Sequence, residues 1–379
     1  MAGRMRILRV AQKLYPDVTG GGPYHVHAMS RDQAAMGHEV TVATVRADPT
    51  LPDWEEHEGY TVRRFDPTVS LLGNDISLGL ARYLAGVGSD EFDVIHAHSH
   101  LYFATNLAAL KRRFSGIPLA ITNHGLYSQN APEWLFRWYL RTLGQWTFNR
   151  ADVVFCYTEV DKVRVREFGV ESRIEVVPNG IDTERFTPEG PESELVDGEG
   201  PVVLFVGRLV EGKRPGDAIK IVEGLVDEHP SIQMCFCGEG PLQSDLENDT
   251  SRRGLSEHVD FLGHLPYDEL PAIFRSSDVL VLTSRSEGVP RTVLEAMASE
   301  TPVVVSDLPQ ISHVVTEGGK TVQIGAVEDF VQAIDQLLRD PEQRATSGSF
   351  GRESVVESYQ WSDTVMETTS FLSDLAMND

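Results

Sequence analysis

Short runs of aliphatic and β-branched residues alternate along this chain with longer stretches whose apolar positions recur at helical spacing. That alternation predicts parallel sheets with helices packed on both faces. Strands are expected at Arg6–Ala11, Glu39–Val45, Tyr60–Phe65, Val94–His98, Leu119–Asn123 and Val153–Thr158. A second set follows at Val202–Val206, Gln233–Cys237, Val259–Leu262, Val279–Thr283, Val303–Ser306 and Thr321–Ile324. Between the sets, Thr187–Gly200 is rich in Pro, Gly and Glu and reads as a linker or surface loop. The fold class is therefore α/β, with two Rossmann-like, doubly wound domains at 1–182 and 183–356. In such sheets, ligands bind outside the carboxyl ends of the strands. From Gly351 onward, Val355, Tyr359, Val365, Phe371, Leu372 and Leu375 keep helical spacing. A helix over about 357–379 is expected to pack back on the first domain.

Composition narrows the class. No apolar run approaches the roughly 18 residues of a spanning helix. The start reads as a first strand, because no apolar stretch leads to a small-residue cleavage site. The three cysteines, Cys156, Cys235 and Cys237, lack zinc-site partners at the usual spacings, so a reduced, cytoplasmic protein is expected. The net charge is −24, and only six of the 33 basic residues are lysine. Acidic surplus with scarce lysine implies adaptation to high salt, where screening limits self-repulsion. It also argues against nucleic-acid binding. Nearly all the acidic excess lies in the second half, so the near-neutral first half is the one suited to an anionic partner.

Four motifs carry candidate chemistry. Gly20-Gly21-Gly22-Pro23 follows the first strand and precedes a helical pattern. Glycines let the backbone approach an anion, and a helix N-terminus offers free N–H groups to phosphate. A flexible turn is the plainer alternative. Gly207-Arg208 ends the strand Val202–Val206, with Lys213 five residues on. Arg208 can grip phosphate bidentately and Lys213 can act as a point charge; the alternative is a solvated pair. The stretch Ser286–Ala298 holds Glu287 and Glu295, expected at the two ends of one first helical turn and able to accept hydrogen bonds from sugar or ribose hydroxyls. Helix capping would explain Glu287 but not Glu295. Finally, His96, His98 and His100 alternate along one strand end and are expected to face one pocket, with His124 on the same rim. Polar cleft lining fits them better than zinc, for no cysteine completes a ligand set, and a core histidine is the plainer alternative at either site. Asp-x-Asp, a common holder of metal-bound sugar nucleotides, is absent. Cationic side chains and backbone N–H groups would then neutralise a diphosphate instead.

Taken in order, the pieces GGGPYHV, GHEVTV, DVIHAH, TNHG, VVPNGID, GRLVEGK, GEGP, FLGHL, EGVPRTVLEAMA and TPVVVSD span nearly the whole chain. Together they resemble the GT-B retaining glycosyltransferases of family four. The resemblance implies two domains facing a central cleft and transfer from a nucleotide-diphosphate sugar, UDP- or GDP-linked; the missing Asp-x-Asp adds the expectation of no metal, and no other cofactor is expected. It implies donor binding by Gly20, Gly21, Gly22, Arg208, Lys213, Gly238, Glu287, Gly288, Val289, Arg291 and Glu295. Within that set, Glu295 would bind ribose and Glu287 the transferred sugar. His124, with His98, would line the acceptor side near the anomeric centre, and His124, Glu287, Arg208 and Lys213 would carry catalysis. Several positions depart from the family pattern: Ser299-Glu300, Leu308-Pro309-Gln310, His313 and Pro290. A sugar-nucleotide epimerase, a phosphorylase or a non-catalytic sugar-nucleotide binder are the alternatives. Basic residues interleaved with aromatics over 100–150, including Lys111-Arg112-Arg113 and Trp134 to Arg141, suit an anionic membrane surface, with packing of the aromatics inside the domain as the equal alternative. The expected acceptor is a glycan, either free or linked to polyprenyl phosphate.

Overall fold

The computed structural model describes residues 3–71, 73–126, 133–196 and 200–377. Residues 197–199 of the expected linker and 127–132 of the basic-aromatic stretch lie outside them. The chain forms two compact units, Met1–Pro178 with Asp363–Asp379, and Asn179–Ser362. The segment expected to link the domains sits on the surface of the second unit. There Arg275 donates to the Thr187 and Pro191 carbonyls, and Ser276 Oγ accepts from the Ser193 N–H.

The first unit holds an eight-stranded sheet in the order β10-β9-β8-β7-β1-β2-β4-β3. Its strands are β1 (Arg6–Val10), β2 (Glu39–Val45), β3 (Trp54–His57), β4 (Tyr60–Phe65), β7 (Val94–His98), β8 (Leu119–Thr122), β9 (Val153–Cys156) and β10 (Arg173–Val176). A separate hairpin pairs β5 (Val69–Leu71) with β6 (Asn74–Ile76). All pairings in the main sheet are parallel except β3 on β4. Central strands such as β7, β8 and β9 are buried at every position, as helices on both faces require. Three elements were not expected from the pattern. The Trp54–His57 edge strand is too polar, and the two three-residue strands of the β5–β6 hairpin are too short, to show as strands in the pattern. Arg173–Val176 has only one fully buried position.

The second unit holds β11 (Val202–Val206), β12 (Gln233–Cys237), β13 (Val259–Gly263), β14 (Val279–Leu282), β15 (Val303–Ser306) and β16 (Gly319–Val322), in the order β13-β12-β11-β14-β15-β16. The chain leaves β11 to one side, through β12 and β13, and then returns to its other side at β14. Strand order in the first unit reverses likewise between β1 and β7. Such reversal points open a crevice at the strand ends, because the connecting helices diverge to opposite faces.

The C-terminal segment is two helices rather than one. Pro341–Ser358 belongs to the second unit, and Trp361–Met377 follows after a break at Tyr359-Gln360. Leu372 is fully buried in the first unit's core, with Phe371, Leu375 and Ala376 packed against it. Thr369 accepts a 2.9 Å hydrogen bond from Gln33.

Candidate active site

In the first unit, β1 leads through a loop into the helix Gly21–Ala35. Gly20 stands before it with φ 133°, a conformation that favours glycine. A Cβ built on Gly22 would lie 4.0 Å from His124 Nδ1, so the glycine loop and His124 border the same space. This is the reversal point of the sheet, since the loop follows β1 and His98 ends β7.

His124 lies two residues past β8 and is held at both ring nitrogens. Its Nε2 lies 3.1 Å from His98 Nδ1, and its Nδ1 lies 2.8 Å from Tyr157 Oη. The His25 ring meets it edge-on at 5.2 Å. Burial lowers its pKa to about 4, so the imidazole is neutral near pH 7. With one proton on that ring, a contact from His124 to a sugar must displace His98 or Tyr157, or use the ring edge. Beneath this pair lies His96, 2.8 Å from Thr122 Oγ1 and 3.4 Å from the guanidinium of Arg9. Arg9 is fully buried and also donates to Ser30 and Gln33. Burial lowers its pKa to about 9. Burial likewise drives His96 and His98 well below the usual histidine range, helped by the neighbouring cationic and imidazole groups.

His100 does not join this row. Ser99 turns the chain with φ 63°, which breaks the strand alternation. His100 packs instead against Phe148 at 4.8 Å. Tyr157 was missed, because only the strand register brings it to His124. In the parallel register Thr122 faces Phe155, so His124 and Tyr157 stand two residues beyond a matched pair.

In the second unit, the reversal point lies between β11 and β14. After β11 come Gly207, the exposed Arg208 and a 3-10 turn ending at Lys213. After β14 comes the loop that holds Glu287. The two loops are stitched together by Thr283 Oγ1, which donates to the carbonyls of Lys213 and Arg214, and by the Arg285 N–H on Gly212. Lys213 Nζ thereby sits 2.5 Å from Glu287 Oε1, which also accepts from Ser284 Oγ at 2.6 Å. Glu287 is buried, as are Gly288 and Val289 beside it. Lys213 and Glu287 are thus ion-paired partners, not separate contacts. Gly238 after β12 closes the floor: a Cβ there would meet the Gly207 carbonyl at 2.1 Å. Gly240 is equally constrained by the Leu209 carbonyl at 2.3 Å.

Glu287 and Glu295 do not bracket one helical turn. The helix runs Arg291–Ala298 with Pro290 at its N-cap, which leaves Glu287 outside it and Glu295 as its fifth residue. Glu295 is buried and accepts a 2.9 Å bond from Tyr267 Oη. Burial raises its pKa, opposed by Arg291, whose Nε lies 3.4 Å away. Arg291 is occupied structurally: it donates to the Gly180 carbonyl at 3.0 Å and to Tyr267 Oη at 3.1 Å, and it stacks on Trp361. Tyr267, absent from the sequence-based site, orients both charged groups.

Two parallel sheets, each with polar side chains gathered at its reversal point, define a nucleotide-binding α/β protein of two Rossmann-like units. Family models make the class specific. The description "Glycosyl transferases group 1" matches residues 187–354, and "Glycosyltransferase Family 4" matches residues 19–185. The chain belongs to the group 1 glycosyltransferases of the GT-B fold. A glycogen synthase of Mycobacterium tuberculosis is 29% identical over 394 residues, covering 96% of this chain and 93% of that protein. A GDP-mannose-dependent α-(1-6)-phosphatidylinositol monomannoside mannosyltransferase of Mycolicibacterium smegmatis is 28% identical, covering 92% and 93%. Among solved structures, sucrose-phosphate synthase of Thermosynechococcus elongatus superposes with a TM-score of 0.84 at 20% identity, over 99% of this chain and 100% of that one. Anabaena HepE, solved with UDP, gives 0.80 at 21%, over 98% and 100%.

Proposed function

We propose that this enzyme transfers a sugar, with retention and without metal, from a UDP- or GDP-sugar to a glycan or lipid-linked acceptor. The observation that carries the reading is the Lys213–Glu287 pair at the reversal point of the second sheet, beside Gly207 and the exposed Arg208. An ammonium held by a buried carboxylate is preorganised, and it can turn its remaining protons to an incoming diphosphate. Glu287 then has acceptor capacity for sugar hydroxyls, with Ser284 holding its orientation. Glu295, positioned by Tyr267, suits ribose hydroxyls. In this proposal the diphosphate departs against Arg208 and Lys213, and the acceptor attacks from the same face. No protein nucleophile is needed; catalysis comes from positioning and electrostatic stabilisation. The complexes and activities named for the relatives support a nucleotide-sugar donor.

The acceptor reading rests on the helix Glu133–Tyr139. Trp134 and Trp138 are exposed one turn apart, with Arg137 and Arg141 exposed beside them, as suits an anionic membrane surface. Phe136 and Phe148 are core residues, Arg112 pairs with Asp152 at 2.8 Å, and Arg150 stacks on Trp146. Among the described residues, no helix is long and apolar enough to cross a membrane.

Hydrolysis of UDP-, GDP- and ADP-sugars, followed by the anomeric configuration of the product, tests the reaction. Turnover with none of them, or an inverted product, overturns it. Flotation with anionic vesicles tests the surface: wild type should float, and Arg137→Gln/Arg141→Gln should not. Both remaining unbound would leave a soluble acceptor.

A further inference from the structure

Away from both reversal points, the edge of the first sheet carries a group of side chains that the glycosyl-transfer reading does not use. Strands β3 and β4 are joined by Glu58-Gly59 alone, with His57 paired across to Tyr60. Both turn residues have positive φ, 46° at Glu58 and 86° at Gly59, which is the geometry of a type I′ hairpin turn. Asparagine, aspartate or glycine normally fills the first of those positions, because a longer side chain is strained there. A glutamate held in that conformation is aimed by the turn. The hairpin tip rests on the helix Gly21–Ala35, since a Cβ on Gly59 would sit 3.7 Å from Ala34 Cβ.

From that helix, the buried His27 faces the turn. Its Nδ1 lies 2.9 Å from Tyr60 Oη, which fixes the ring and directs Nε2 outward. That Nε2 is 3.7 Å from one oxygen of Glu58, and His57 Nε2 is 3.8 Å from the other. Both separations are too long for hydrogen bonds. His57 Nε2 is nonetheless enclosed and has no hydrogen-bond partner among the described residues. One ligand atom from each of the three residues lies within 4.8 Å of the others. Arg31, on the same helix as His27, is offset by its 2.6 Å pair with Asp32. Two imidazoles and a carboxylate therefore converge without satisfying one another.

We propose that His27, His57 and Glu58 bind a divalent ion of the zinc class. Two imidazole nitrogens with one carboxylate select zinc, cobalt or nickel over magnesium or calcium, which prefer oxygen ligands. Tetrahedral zinc at about 2.0–2.1 Å from its ligands needs ligand edges of roughly 3.4 Å. The three ligand atoms lie within 4.8 Å of one another and would draw together by up to about 1.4 Å to reach that value, with water in the fourth position. Tyr60 serves as the orienting partner that metal-bound histidines commonly have. The ion would tie the β3–β4 edge hairpin to the helix that opens with Gly21, and so act on stability instead of sugar transfer.

Titration calorimetry of the full chain with ZnCl2, at high salt and without chelating buffer, should give one site. His57→Ala, at a partly buried position, and Glu58→Gln, at an exposed one, should each weaken binding at least about tenfold, with the melting temperature in EDTA recording any effect of the substitution itself. Zinc should raise the melting temperature of wild type but of neither variant. X-ray absorption of zinc-loaded wild type should show two imidazole ligands, a readout that does not depend on any variant folding. Absence of saturable binding, variants that bind like wild type, or a shell with fewer than two imidazoles would overturn the site. Donor hydrolysis should be the same in EDTA and in zinc, so failure here leaves the transferase reading untouched.

Discussion

Lys213 and Glu287 are 74 positions apart and meet at 2.5 Å, one on each side of the point where the second sheet reverses its strand order. Neither side chain is well exposed, at 15% and 6%. Each therefore depends on the other until an anionic ligand arrives.

Lys213→Ala leaves Glu287 buried without its cation, with Ser284 as its partner among the described residues. Breaking a buried pair from one side typically costs about 3–5 kcal/mol, so the melting temperature should fall clearly. Lys213→Ala/Glu287→Gln should recover most of that stability while remaining inactive. Recovery of stability and activity together would show that the pair is structural only. Arg208→Ala, at an exposed position, should leave melting unchanged. It should lower kcat/KM for the donor roughly 10- to 150-fold, the worth of one charge-assisted contact of about 1.5–3 kcal/mol.

Two glycine substitutions separate folding from binding. Gly238→Ala places a methyl 2.1 Å from the Gly207 carbonyl, and its φ of 144° also disfavours a side chain. Backbone must move, so both stability and donor affinity should drop. Gly22→Ala meets nothing closer than 4.0 Å and lies in the first turn of a helix. Its melting temperature should hold or rise, alanine being about 0.5–1 kcal/mol better than glycine in a helix. Any loss of turnover then reports crowding of a ligand at the loop. Thermal melts paired with donor titrations check both.

Acid should unfold the first unit through its histidines. His124 titrates near 4 when folded and near 6.5 when unfolded, because burial disfavours the imidazolium. His96 and His98 shift in the same direction. On acidification the unfolded chain binds these protons first. The stabilisation is complete above pH 6.5 and is lost as pH falls from there toward 4. Melting temperatures from pH 8 to pH 4 should show the steepest fall in that window. A flat profile would mean that the row is hydrated or charged in the folded protein.

Donor turnover should persist in excess EDTA, measured well below the melting temperature. Lys213, Arg208 and backbone N–H groups are the groups that would neutralise the diphosphate. Loss of turnover restored by magnesium or manganese would place a metal at the donor and displace that assignment.

The sequence by itself determined what is periodic or chemically local. Runs such as Val202–Val206 and Val279–Leu282 are apolar at every position, so a strand buried on both faces is their only economical use. Glycines and charges at the ends of such strands mark a ligand edge, because parallel α/β sheets open there. The tertiary structure decided which of those residues meet. Lys213 finds Glu287 only because β14 returns beside β11, a choice of strand order that no local pattern encodes. His124 finds Tyr157 through strand register, and His100 leaves the row because Ser99 adopts a left-handed turn that alternation cannot foresee. The Trp54–His57 edge strand was invisible for a related reason. Edge strands are half solvated and carry charge, so their apolar signal is weak, and the His27, His57 and Glu58 cluster came into view only with the hairpin folded against its helix.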